Sequence, residues 1–292
     1  MIASIGPLLP LEILEATGRY AGPLLADFDA PTPVARRWLE SKFAPWAPCV
    51  LERWAAGAYD GIETAVFSRA DDTAQRLYYY ICELRRRGHI KGPEPVIFDL
   101  AQIPRQSSLD RTIAQVRSLA DRLGVDDAAL GNAIEVSNQG RSTIVEPPVG
   151  LNCLLAGTPT PDGRLGDAVR RAGFVPHGVT LEEEWSDPGP QVDLSCSTPV
   201  EALGRQLHGR TAGPRSFADP AELMAAKVRA AGASAVVLWR IEEDEAYAWH
   251  LPAERRALEE LGVPHLVMTR RDWLGRDGAP DEIRKFLEGV KP

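Results

Sequence analysis

One stretch, Glu63–Gly88, constrains the fold most, because it holds a strand, a polar turn and a helix in unbroken order. Residues 64–67 (TAVF) form an apolar run without polar alternation, which is typical of a parallel strand covered on both faces. Polar side chains follow this run, and Asp71 or Asp72 can cap a helix that starts near Thr73. Three arginines and a glycine then mark the end of that helix. The stretch predicts one strand–turn–helix unit of an α/β fold.

Strand and helix patterns alternate along the rest of the 292 residues, a length sufficient for two domains with separate cores. The best linker is the proline-rich segment 146–150 (EPPVG). The sequence therefore predicts two α/β domains, residues 1–146 and 147–292, the first with helical N-terminal and crossover segments. Because the alternation recurs in both halves, each domain is expected to have three layers around a parallel sheet, with a cleft between the domains.

Prolines interrupt residues 8–56, which look helical in outline. The pattern favours a helix over residues 34–42, a shaped loop over 44–49, and a helix over 50–56. In the second half, residues 182–185 are expected to end a strand. Residues 186–199 are rich in Ser, Pro, Asp and Gly, and they are expected to form a surface loop.

Composition excludes several classes of protein. The formal charge of −8 argues against a nucleic-acid surface, which needs a net basic face. No apolar stretch approaches the roughly 20 residues of a membrane span, so a cytoplasmic protein is expected. The four cysteines contain no CxxC pair, which disfavours a zinc or disulfide framework, and the common catalytic motifs are absent.

The carboxyl ends of the predicted strands are the first place to look for a ligand, because open α/β sheets bind ligands there. Ser68, Arg69 and Asp72 follow one such strand and are candidate substrate-binding residues. Arg240 follows the equivalent strand of the second half. Arg69 and Arg240 together are candidates to clamp a carboxylate or a CoA phosphate, with ordinary ion pairing to nearby acids as the alternative.

Several sequence segments, in their order and spacing, resemble the 2-hydroxyacyl-CoA dehydratase and benzoyl-CoA reductase family. The resemblance extends over nearly the whole chain. The segments are residues 10–16 (PLEILEA), 71–77 (DDTAQRL), 127–138 (DAALGNAIEVSN) with Arg141, 155–159 (LAGTP), and 258–264 (LEELGVP) leading to 269–272 (TRRD). Within the family, the chain resembles the D-component type of subunit of 2-hydroxyglutaryl-CoA dehydratase. The resemblance implies two flavodoxin-like (Rossmann-like) domains and a cysteine-bound [4Fe-4S] cluster between them. It also implies an acyl-CoA thioester that receives one electron and loses its 2-hydroxyl group.

The positions that hold the cluster in this family carry no cysteine here. The family's first two cysteines match Ala44 and Asp71, and the third falls within residues 241–244. Cys49 lies five residues past the first position. The resemblance therefore points to Asp71, Glu243 and Cys49 as residues at or near the former ligand sites. Asp71 with Glu242 or Glu243 can alternatively bind a hard metal ion, or serve only as caps and solvated turns.

Three hypotheses follow from the sequence and its resemblance. The first is a dehydratase-like subunit, directed to an acyl-CoA, that lacks its own cluster and pairs with a related, cluster-bearing subunit as a heterodimer. The second is a non-redox binding or regulatory protein that keeps the two-domain cleft. The third is a lyase that uses a carboxylate-bound metal, or no metal, on a related thioester.

Overall fold

The computed structural model describes residues 1–141, 150–211 and 217–290, which fold into an α/β protein with two four-stranded parallel sheets. The strands are β1 (Ile2–Ile5), β2 (Tyr20–Pro23), β3 (Thr64–Ser68), β4 (Glu94–Phe98), β5 (Asn152–Gly157), β6 (Val175–His177), β7 (Ala235–Ile241) and β8 (His265–Arg271). The α-helices are α1 (Leu11–Ala16), α2 (Trp46–Ala55), α3 (Asp72–Arg86), α4 (Gln106–Leu123), α5 (Asp127–Arg141), α6 (Arg164–Arg171), α7 (Leu181–Trp185), α8 (Pro199–His208), α9 (Pro220–Ala230), α10 (Glu245–Ala248), α11 (Leu251–Glu260) and α12 (Ala279–Gly289). Within the described ranges, none of these helices has the length and apolar character that crossing a membrane requires.

The chain divides into two compact units. Unit 1 comprises Met1–Ile144 and Trp185–Phe217, and unit 2 comprises Val145–Glu184 and Ala218–Pro292. Residues 185–217, which the sequence places in the second of the domains 1–146 and 147–292, thus belong to unit 1. The reason is burial: α8 contributes Val200, Leu203 and Leu207 to the core of unit 1. The predicted linker at residues 146–149 lies outside the described residues.

The sheet of unit 1 has the strand order β2-β1-β3-β4, with all neighbours parallel. Adjacent residues of β3 face opposite sides, as the period of a strand requires. Val66 packs in the core cluster that includes Val116 of α4 and Leu203 of α8. Phe67 faces the other side, where its ring lies 6.2 Å from that of Trp54 on α2 and 5.7 Å from that of Tyr78 on α3. Helices therefore cover both faces of the sheet.

The sheet of unit 2 repeats this arrangement with the order β6-β5-β7-β8, again all parallel. Every residue of β7 is buried, as expected for a central strand covered on both sides. On one face Val236 and Leu238 pack with Val228 of α9 and Leu258 of α11. Helices α6 and α12 contact each other and the two edge strands. The predicted fold class, two flavodoxin-like units with parallel sheets, is confirmed.

The N-terminal region differs from the sequence prediction in three respects. It contains the short strand β2, which the predicted helical outline of residues 8–56 missed, and the short strand β1 before residue 8, where no element was predicted. The helix expected over residues 34–42 is only a 3-10 turn at Ala35–Arg37. Helix α2 begins at Trp46 rather than at residue 50, although it contains Pro48. Proline is tolerated there because the amides of the first turn have no partner within the helix.

The segment after β6 also differs from its prediction. Residues 182–185 lie in the helix α7 and do not end a strand. The Thr180 hydroxyl accepts a hydrogen bond from the Glu183 amide at 3.3 Å, and the Glu183 carboxylate accepts one from the Thr180 amide at 2.8 Å. This reciprocal pair is a capping box, which starts a helix.

Candidate functional site

The carboxyl edge of the unit 1 sheet has a switch point between β1 and β3, where the connections leave in opposite directions. Ligands bind at such points in open α/β sheets. Gly6 follows β1 with φ +94°, and a Cβ atom on it would lie 2.9 Å from the Cβ of Ser68. The turn after β1 therefore packs too closely against the end of β3 for any residue but glycine.

The predicted substrate-binding residues of unit 1 have partners within the unit. Ser68 is buried, and its hydroxyl accepts a hydrogen bond from the Ala70 amide at 3.1 Å. Arg69 Nη1 donates to Asp99 Oδ1 at 2.6 Å, and Asp99 also accepts hydrogen bonds from Arg111. Burial raises the pKa of Asp99, but the two arginines outweigh it and hold that pKa below its usual value. Asp72 is exposed in the first turn of α3.

The residues of unit 1 that the resemblance places at or near cluster-ligand positions do not fit a [4Fe-4S] cluster. The Asp71 carboxylate caps α3 by accepting a hydrogen bond from the Ala74 amide at 2.6 Å. The Cys49 thiol is buried and donates to the Pro45 carbonyl oxygen at 3.5 Å. Burial raises the pKa of Cys49 to about 11, whereas iron is bound by the thiolate form. Over the described ranges as a whole, no group of three or more His, Cys, Asp or Glu residues is placed to hold a metal ion.

The carboxyl edge of unit 2 has the equivalent switch point between β5 and β7. Gly157 ends β5 with φ +112°, and a Cβ atom on it would lie only 1.9 Å from the Trp239 carbonyl oxygen. Thr158 then joins the two loops through three bonds. Its amide donates to the Trp239 carbonyl at 2.9 Å, its hydroxyl donates to the Asp244 carboxylate, and it accepts from the Ile241 amide at 3.4 Å. The loop after β7 is thereby fixed against the loop after β5.

Carboxylates cluster at this edge of unit 2. Glu242, Glu243 and Asp244 follow β7, and Asp272 follows β8. Burial raises the pKa of Glu243, and the negative charges of Glu242, Asp244 and Asp272 raise it further. Burial also raises the pKa of Asp244, against the hydrogen bond from Thr158. Carboxyl groups with raised pKa values at a strand's carboxyl end are candidate general acids. The sequence indicated Glu243 but not Asp244, although Asp244 also lies just beyond a predicted strand.

Arg240 belongs to β7 itself and does not follow the strand as predicted, and its side chain is 7% exposed. Its Nη2 donates to Glu254 Oε1 at 2.6 Å, and its guanidinium carbon lies 4.7 Å from the centre of the Tyr247 ring. Arg69 and Arg240 therefore each form an ion pair within their own unit. Asp71 and Glu243 likewise belong to different units, Asp71 to unit 1 and Glu243 to unit 2.

Fold and site together define an α/β protein of two flavodoxin-like units, one of which carries a carboxylate cluster at the carboxyl edge of its sheet. No family model matches the sequence, and no match was found among curated proteins.

Proposed function

We propose that the chain is a cytoplasmic 2-hydroxyacyl-CoA dehydratase-like subunit that binds an acyl-CoA thioester, has no [4Fe-4S] cluster of its own, and works beside a cluster-bearing partner. The resemblance of the sequence to that family is the starting point. Two flavodoxin-like units, each with a four-stranded parallel sheet, agree with the architecture that the resemblance implies. The observation that carries the proposal is the use of the former ligand positions. Asp71 serves as a helix cap, and Cys49 is a buried, protonated thiol.

The carboxylate cluster of unit 2 gives this subunit a chemical role. Loss of a hydroxyl group requires a proton on the departing oxygen, and a positioned acid accelerates that step. The raised pKa values of Glu243 and Asp244 favour the protonated form that can donate. In this proposal one of the two carboxyl groups delivers the proton to the leaving hydroxyl of the bound thioester.

The same observation favours a second candidate, a lyase that eliminates water from a thioester without a redox step. Such an enzyme needs an acid for the hydroxyl group and a base for the neighbouring proton. The pair Glu243 and Asp244 offers two carboxyl groups, side by side in sequence, in different surroundings. Two carboxyl groups in different surroundings can divide the roles of acid and base.

Anaerobic purification, alone and with co-expressed neighbouring genes, separates the candidates. Iron and acid-labile sulfide are measured in each preparation, binding of 2-hydroxyacyl-CoA thioesters by calorimetry, and dehydration by chromatography. The proposal predicts binding by the chain alone and dehydration only in an iron-containing complex. Dehydration by the iron-free chain alone would establish the second candidate. Binding without turnover in any preparation would indicate a binding or regulatory protein.

Variants test the role of the carboxyl groups. Glu243→Gln and Asp244→Asn each remove one ionisable group with little change in size, and dehydration is expected to fall about 100-fold or more in at least one of them. Thioester binding should stay within about threefold. Glu260→Gln, an exposed change in the same unit, is the control and should alter neither quantity. Full activity in both variants would refute the assigned role.

A further inference from the structure

Unit 1 has a pocket of about 460 Å³ beside the C-terminal half of α3. Its lining includes four rings, of Trp38, Tyr79, Tyr80 and His89, and the guanidinium groups of Arg37 and Arg87. The volume lies within the range of about 300–1,000 Å³ that is usual for small-molecule sites.

The pocket lies apart from the switch point of unit 1. Helix α3 starts directly after β3, at the carboxyl edge of the sheet, and returns antiparallel to the strands. Its 15 residues span about 22 Å at 1.5 Å per residue. The residues of α3 that line the pocket come from its second half, toward the opposite edge. The carboxyl groups proposed above to act on the thioester, Glu243 and Asp244, do not line this pocket.

One wall of the pocket is a stripe on α3, and the other is a pair of stacked rings. Tyr79, Glu83 and Arg87 recur every four residues, so they share one face of the helix. Opposite them, the rings of Trp38 and His89 stack with centres 6.2 Å apart and planes inclined by 29°. Tyr79 is 55% exposed, which leaves much of its ring surface open. A planar ligand ring has surfaces to stack on here.

The pocket also carries positive charge in excess. Hydrogen bonds from Arg86 and Arg87 lower the pKa of Glu83 to about 2, so this carboxylate stays ionised and its charge is offset by two guanidinium groups. The guanidinium group of Arg37 forms no hydrogen bond or ion pair with any part of the chain that the structure describes. Its charge is therefore available to an anionic ligand, and guanidinium groups bind phosphate well.

We infer that this pocket binds a planar aromatic ring that carries a phosphate, the chemistry of a nucleotide. The ring stacks against Tyr79 or the Trp38–His89 pair, and the phosphate lies against Arg37. Both halves of the ligand are needed, because the site combines stacking surfaces with an unpaired cation. The inference does not depend on the proposed dehydratase role. Nucleotide binding by this pocket does not decide whether a thioester is dehydrated, and dehydration does not decide whether the pocket binds a nucleotide.

Calorimetry of the full chain with AMP, adenosine, inorganic phosphate and CoA as separate probes tests the inference. AMP is expected to bind, with adenosine and inorganic phosphate each at least tenfold weaker. Arg37→Gln and Tyr79→Ala should each weaken AMP binding about tenfold. Arg256→Gln and Trp249→Ala, exposed changes in unit 2, are matched controls and should leave it unchanged.

The probes also distinguish the source of the nucleotide. If Arg37→Gln and Tyr79→Ala weaken CoA and AMP alike, the pocket takes the nucleotide end of CoA; if they weaken AMP alone, it takes a free nucleotide. Both results support the inference. Absence of AMP binding at millimolar concentration, or AMP binding unchanged in both variants, would overturn it. Equal binding of AMP and adenosine, or of AMP and inorganic phosphate, would overturn it as well.

Discussion

The buried ion pair of Arg240 and Glu254 gives the sharpest test of how unit 2 supports its carboxylate cluster. Both side chains are less than a tenth exposed, at 7% and 9%, and they are joined by a hydrogen bond of 2.6 Å. The substitution Arg240→Met keeps an extended side chain but removes the charge. Glu254 is then left as a buried carboxylate without the hydrogen bond and the charge of Arg240.

Breaking a buried ion pair in this way costs about 3–5 kcal/mol. With an m-value of about 2 kcal/mol/M, the urea midpoint of unit 2 should fall by roughly 1.5–2.5 M. The double variant Arg240→Met/Glu254→Leu removes both charges and fills the space with apolar groups. Because neither member of the pair is left without the other, it should recover to within about 1 kcal/mol of the parent chain.

Urea denaturation followed by tryptophan fluorescence measures both effects, and Arg256→Met is the control for an exposed arginine. The control should lie within about 0.5 kcal/mol of the parent. The charge of Arg240 also lowers the pKa of Asp244, so Arg240→Met should raise that pKa in a carboxyl NMR titration. A loss below about 1 kcal/mol in the single variant, or a double variant as unstable as the single one, would refute this reasoning.

Three further predictions concern individual residues. Thr158→Val removes the hydrogen bond that lowers the pKa of Asp244, so that pKa should rise in an NMR titration. Because the folded pKa of Asp244 is raised, this group stabilises the fold below its unfolded pKa of about 3.9, and the contribution is lost as the pH rises through the folded value. In Thr158→Val the loss should therefore occur at higher pH. Cys49, with a pKa of about 11, should resist iodoacetamide at pH 8 in the folded chain and react only after unfolding, as peptide mass spectrometry will show; rapid labelling would contradict its burial. Gly157→Ala should abolish stable folding of unit 2, because its Cβ would meet the Trp239 carbonyl at 1.9 Å, whereas Gly163→Ala has open space and should be tolerated in thermal melts.

The parts of the fold that local sequence determines were predicted well. Residues 64–67 lie within β3, and Asp71, one of the two caps that the sequence allowed, caps α3. The sequence contains the whole signal for this strand–turn–helix segment, because the strand, the cap and the helix follow one another directly. The alternation of strands and helices along the chain then predicts parallel sheets, and the observed strand order in both sheets confirms that prediction.

The parts that depend on distant contacts were not predictable in the same way. Strand β1 has only four residues, and its central place comes from pairing with β3, where Ile5 lies opposite Phe67. Helix α8 belongs to unit 1 because it packs against α4, so closely that a Cβ atom on Gly204 would lie 2.6 Å from Ile113. Neither segment carries a local pattern that reveals its partner.

The candidate site shows the same division between local and distant information. The sequence places carboxylates just after β7, and an acidic group there is predictable from the end of the strand. The raised pKa of Asp244 depends on burial, and on Thr158 and Arg240 in other parts of unit 2. Likewise, Arg69 follows its strand as predicted, but only the folded structure shows that Asp99 is its partner.

The most direct test of the central claim is the iron content and thioester binding of the chain purified alone under anaerobic conditions. The proposal predicts a colourless protein, without stoichiometric iron or acid-labile sulfide, that binds a 2-hydroxyacyl-CoA thioester in calorimetry. A brown, oxygen-sensitive preparation with about four iron atoms per chain would contradict it, because the chain would then hold a [4Fe-4S] cluster without the expected cysteines.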